Sequence, residues 1–217
     1  TTLFDLGNGA GSGVAADDIL IGRENASNDL FLRVYQGSLL VTTLKATNVL
    51  AQNKWQHVAV TMDDWAADGT ANFTIFVDGE SKISLRGKAP NNVVRKKCYV
   101  AKCNWDATIY LKGRMAEVRI WNIARKPDEL KRASKARLRG SEFGLVANYR
   151  LNEADGERAG DASKNGLHAW ARGSASYTRA EPVPVFTLAT EVTGVLRLDG
   201  VTHVVLPLLR ATASAPE

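Results

Sequence analysis

Asp161, Ser163 and Asn165, followed by Gly166, have the D-x-S-x-N-G spacing that opens many calcium loops. Oxygen side chains at alternate positions converge on a hard cation, and the glycine permits the sharp turn between them. An EF-hand would also need a bidentate glutamate at the twelfth position, where Arg172 stands. The expectation is therefore a looser calcium site, completed by Asp155, Glu157 or backbone carbonyls. The competing reading is a tight Asx turn, in which Asp161 and Asn165 bond their own backbone.

A second grouping could read sugars. Phe31, Arg33 and Tyr35 alternate along one strand face, with Trp55, His57, Arg119 and Trp121 as candidate neighbours. Aromatic rings stack on apolar sugar faces, while Arg and His bond hydroxyls or sulfates. The Trp residues have a second reading as buried anchors of a sandwich. A third grouping is cationic. Before Lys82 there are 4 basic and 10 acidic residues, and from Lys82 to Arg139 there are 17 basic and 4 acidic. Arg95, Lys96, Lys97, Lys131 and Arg132 lie in that block. Blocks of one sign attract polyanions, although many are simply solvated faces.

Catalytic motifs are missing. There is no G-x-S-x-G elbow, P-loop, dinucleotide fingerprint or H-E-x-x-H zinc motif. Glycoside cleavage needs two carboxylates facing one groove. Glu117 is the one carboxylate placed here on a regular strand face, and beside Arg119 it reads as half of a salt bridge. The expectation is a binding protein and not an enzyme.

These residues must be positioned by strands. Thr2–Leu6, Ile19–Ile21, Leu30–Tyr35, Ser38–Lys45, Trp55–Met62, Asn72–Val77 and Ser81–Leu85 are strand-like and separated by turn residues. Asp78-Gly79 is a two-residue hairpin signal. Ala116, Val118 and Ile120 alternate with Glu117, Arg119 and Trp121, which predicts a half-buried strand. Pro127, Asp128 and Glu129 then open a basic helix over Asp128–Leu138, closed by Gly140. Cys98 and Cys103 have opposite parity on an extended strand and lie roughly 16 Å apart, which predicts two free thiols.

Four segments, "KWQHVAVTMD", "NFTIFVDGE", "YVAKCNWDATIYLKGRMAEVRIWNIARKPDEL" and "GLVANYRLNEADGERAGDASKNGLHAW", occur in an order that resembles laminin-G-like modules of the concanavalin A-type lectin-glucanase superfamily. The resemblance runs from about Leu3 to Trp170. It implies an all-β fold: an antiparallel jelly-roll sandwich of two sheets with one short helix. It also implies a partner that is a glycan, an anionic polysaccharide, a protein or neighbouring modules, commonly in a larger extracellular or cell-surface protein. Lys126 stands where the family more often has a Ser or Thr helix cap. No specific nucleic acid partner is expected, and no apolar run reaches the ~18 residues a membrane span needs. No charged-then-apolar leader is visible.

The expected division is a sandwich over 1–172, a linker over 173–193 and, over 194–217, the opening strand segment of either a next module or a permuted one. Within the last, "GVLRLDGVTHVVLPLL" resembles the opening strand pair of the same family. Gly194–Leu206 is expected to pair beside the closing strand, Leu145–Leu151.

Overall fold

The computed structural model describes residues 1–9, 13–106, 108–153, 155–173 and 175–177, together with the backbone of 203–211. The strands are β1 (Thr2–Gly7), β2 (Ile19–Arg23), β3 (Leu30–Gln36), β4 (Leu39–Ala46), β5 (Gln56–Asp63), β6 (Thr70–Val77), β7 (Glu80–Lys88), β8 (Lys97–Val100), β9 (Gly113–Met115), β10 (Val118–Trp121), β11 (Leu145–Tyr149), β12 (Arg158–Ala159), β13 (Ala169–Trp170) and β14 (His203–Ala211). One helix, α1 (Pro127–Ala133), follows β10. The expected all-β architecture is present: among the described residues there are two large antiparallel sheets, a two-stranded β12–β13 ribbon and one helix, arranged as a jelly roll.

One sheet has the order β4-β3-β2-β1-β8, the other β11-β10-β14-β5-β6-β7, with β9 also on β14. Alternation decides what each face meets. Leu30, Leu32 and Val34 of β3 share one core with Val58, Val60 and Met62 of β5 and with Val118 and Ile120 of β10. This is the layer between the sheets. Thr42 of β4 donates to the Lys88 carbonyl of β7 at 2.8 Å, so the two sheets meet along that edge. The β6–β7 hairpin turns at Asp78 and Gly79, both at positive φ, as the primed two-residue turn requires.

A second cluster lies on the outside of the seven-stranded sheet. Ala59, Phe76, Trp121 and Leu145 are covered there by Leu130 of α1 and by Leu138 beyond it. Strands β5, β6 and β10 are thus buried on both faces, and Trp121 is a core anchor at 1 % exposure.

The helix ends at Ala133, five residues short of the expected Leu138. Arg119 causes this. Its guanidinium donates to the carbonyls of Ala133 and Ala136, each at 2.7 Å, and so satisfies groups that a helix end leaves bare. At the other end Glu129 accepts from the Lys126 amide at 2.8 Å, which compensates for the missing Ser or Thr cap.

Of the expected pairing segment, residues 194–202 lie outside the described residues; the strand that follows, β14, lies between β10 and β5, not beside the closing strand β11. The edge of β11 is taken by β10, and the open position in the sheet is the gap between β10 and β5.

Candidate functional site

Phe31, Arg33 and Tyr35 share the outer face of the five-stranded sheet, as the alternation requires. Phe31 is 5 % exposed and lies beneath the Arg33 guanidinium, 4.2 Å from the ring centre. Arg33 is held by Glu24 at 2.6 Å. The phenyl ring therefore supports the arginine from below and does not itself face solvent. Tyr35 and Trp105 meet edge to face, with ring centres 5.3 Å apart, and both are half-buried.

Trp105 is brought there by the loop after β8, which folds back over the middle of the sheet. The Asn104 amide donates to Asp5 at 2.7 Å, the Asn104 side chain donates to the Lys97 carbonyl at 2.8 Å, and Gly13 donates to the Trp105 carbonyl at 3.2 Å. Lys102 places its ammonium 4.6 Å from the Tyr99 ring centre. Trp105 was not foreseen as a site residue. The signal available was a Trp-Asp pair between two strand-like runs.

Beneath this loop lies a carboxylate pair that the sequence reading also missed. Asp5 and Asp18 both have no exposed surface. Gly7 makes room for the second of them: a Cβ there would fall 1.7 Å from an Asp18 oxygen. Burial, and then the neighbouring Asp18 charge, push the Asp5 carboxyl well above the usual range. Burial raises Asp18 to about 6, against the lowering pull of the Ala16 amide. Asp5 is thus the member of the pair that more readily holds a proton. This is the number of carboxylates a glycosidase needs, but both are sealed from substrate. Cys103, in the covering loop, is buried and its thiol is held protonated by burial. Cys98 faces the core, and its thiol donates to the Arg95 carbonyl at 3.6 Å.

The other predicted neighbours of Tyr35 lie elsewhere. His57, Arg119 and Trp121 belong to the opposite sheet, on its outer face; Trp55 precedes β5 of that sheet and packs on the core. His57 is buried with neither ring nitrogen bonded among the described residues, and burial, then Arg119, lower it to about 4. Arg119 and Glu117 form the expected salt bridge at 3.0 Å, almost wholly buried.

The basic residues are also separated. Arg95 is 2 % exposed and ties the Asp17 and Asn91 carbonyls together at 2.8 and 3.0 Å, so it is a loop brace and not a ligand contact. Lys97 donates to the Gly9 carbonyl, and Lys96 is exposed. Lys131 and Arg132 are exposed on α1, over the other sheet. The two basic groups thus sit on opposite sides of the sandwich.

In the Asp161 loop, one carboxylate oxygen accepts from the Asn148 and Ser163 amides, each at 2.8 Å. The other accepts from the Ser163 hydroxyl at 2.6 Å and the Leu167 amide at 2.9 Å. Asn165 donates to the Val146 carbonyl at 2.8 Å. Among the described residues no three His, Cys, Asp or Glu side chains form a group that could hold a metal ion. The arrangement is an anchored turn that clips this loop to β11, with its acidic oxygens already filled by donors.

With this geometry in place, comparison with known proteins defines the class. The family described as the concanavalin A-like lectin/glucanases superfamily, of laminin-G type, matches residues 2–131, and the chain belongs to it. Among solved structures, the chain is similar to a candidate carbohydrate binding protein from Bacteroides ovatus ATCC 8483, with a TM-score of 0.51 and 20% identity. That match covers 91% of this chain and 51% of the other, so the chain spans about half the length of that protein. No curated protein matches it. Among the described residues no helix is long and apolar enough to cross a membrane.

Proposed function

We propose that the protein is a non-enzymatic carbohydrate-binding module, and that it reads sugar on the outer face of the five-stranded sheet. The observation that carries this is the half-buried Tyr35–Trp105 ring pair beside Arg33, which is itself fixed by Glu24 and Phe31. Ring faces of this kind take the apolar side of a pyranose, and a pinned guanidinium bonds hydroxyls at little ordering cost. Membership of the superfamily and the carbohydrate binding suggested for the structural neighbour support the same reading. The superfamily also contains glucanases. The sealed Asp5–Asp18 pair favours binding over cleavage, because neither carboxylate can reach a glycosidic oxygen. Extracellular placement within a larger multi-module protein fits this role.

A glycan array followed by calorimetry on the best ligand tests the proposal. Trp105→Ala and Tyr35→Ala should each weaken binding about three- to tenfold, since losing one stacked ring costs roughly 0.5–1.5 kcal/mol. Unchanged affinity in both variants would place the sugar elsewhere. Release of reducing sugar would overturn the non-enzymatic reading.

A further inference from the structure

The seven-stranded sheet is assembled from two sequence-local pieces whose strands are not hydrogen-bonded to each other, although α1 packs across both. One is the β5–β6–β7 meander, and the other is β10, α1 and β11. They are joined through β14, which is paired on both edges. On one side His203, Val204, Val205 and Leu206 face Thr61, Val60, Ala59 and Val58, and Leu209 faces Gln56. On the other side His203–Val205 face Trp121–Arg119, and Leu209–Ala211 face Met115–Gly113. The ladder to β5 shifts between Leu206 and Leu209, around Pro207, which has no amide to give.

With β14 in place, β5 and β10 stand two strand spacings apart, about 9.5 Å, too far to bond each other. Without it, two rows of unpaired backbone groups would flank a slot one strand wide, lined by residues that are almost fully buried: Val58, Ala59, Val60, Ile120 and Trp121. The rest of the sandwich supplies that slot, and the strand that fills it arrives last in the chain.

We propose that this slot is a strand-acceptor site, and that at high concentration it is filled by His203–Ala211 of a second copy of this chain, each copy donating to the other. A strand from either source makes the same hydrogen bonds, so exchange has no enthalpic penalty in the sheet. Residues 171–202 connect β13 to β14. Such a stretch spans up to about 100 Å when extended, more than twice the diameter of a sandwich this size. A tether of that many residues gives its own strand an effective concentration of roughly a millimolar. Dilute protein is then the closed monomer, and concentrated protein is the reciprocal dimer.

Cross-strand disulfides test this without altering the sheet. Thr61 and His203 are direct cross-strand partners, a separation that suits a disulfide. The two native thiols are buried and serve as the background in each single variant. In dilute solution the double variant T61C/H203C should close a bond within one chain, which shows that the strand occupies the slot. When T61C and H203C chains are unfolded, mixed and refolded together near millimolar concentration, a covalent heterodimer should form. Its yield should rise with concentration and exceed that of either variant refolded alone by about tenfold. Absence of the intrachain bond, or a heterodimer yield no greater than the single-variant background at every concentration, overturns the proposal. Neither readout depends on sugar binding.

Discussion

Asp161 illustrates how one side chain can fit two chemistries until its partners are seen. Its spacing from Ser163 and Asn165 suits a calcium loop, yet both of its oxygens are filled by four donors. A cation would have to displace amides that have no other acceptor. The expected result is therefore a melting temperature unchanged by millimolar calcium. Asp161→Ala should lower stability by roughly 2–3 kcal/mol, because it strands buried donors that had bonded a charged group. A calcium-dependent rise in melting temperature that the substitution abolishes would instead show an ion held by Asp161, Ser163 and Asn165. Asp5 was legible in the sequence as an acid inside an apolar strand. Its pairing with Asp18 was not, because the two meet across neighbouring strands and only Gly7 lets them approach.

At the scale of elements, α1 and the turn that follows it form a basic cover on the seven-stranded sheet. Lys126, Lys131, Arg132, Lys135, Arg137 and Arg139 are exposed there, against Asp128 and Glu129. This face is suited to a sulfated or otherwise anionic polysaccharide, independently of the ring pair on the other sheet. The triple variant K131E/R132E/K135E should elute from heparin at clearly lower salt than the wild type, because screened contacts weaken steeply with ionic strength. Lys96→Glu should shift elution less, since Lys96 lies on the opposite side of the sandwich. Equal elution of the triple variant and the wild type would leave these cations as a solvated face. The helix itself was legible from Pro127 and the acids that follow it. Its early end was not, because Arg119 reaches the last carbonyls from a strand.

For the whole molecule, two buried sites give stability opposite dependences on pH. Asp5 and Asp18 have raised folded values, Asp18 at about 6. The stability they contribute is complete below the unfolded carboxylate range and is lost as pH rises from about 4. His57 has a lowered folded value of about 4. Its contribution is complete above its unfolded value near 6.5 and is lost as pH falls toward 4. Between about pH 4 and 6 the slopes oppose one another, each worth roughly 1.4 kcal/mol per pH unit per proton. Asp18→Asn should remove the carboxylate slope. Its melting temperature relative to wild type should rise with pH up to about 6 and then flatten as far as Asp18 is concerned. A difference that stays constant from pH 4 to 8 would show that Asp18 ionises normally in the folded protein.

Local order fixed the parts that depend only on neighbouring residues. The alternation in β3 and β10, the Asp78-Gly79 turn, the Glu117–Arg119 pair and two cysteines without a mutual disulfide follow from spacings of two to five residues. The fold class followed from four such segments in a recognisable order. Tertiary structure decided which strands became neighbours. It sent His57, Arg119 and Trp121 to the sheet opposite Tyr35, buried Arg95 as a brace, and divided the basic block between two faces. It also carried Trp105 across the outer sheet to Tyr35 and set the last strand between β5 and β10. Contacts of this kind join residues tens of positions apart. Whether such residues meet depends on sheet order and loop closure, which no short-range pattern records.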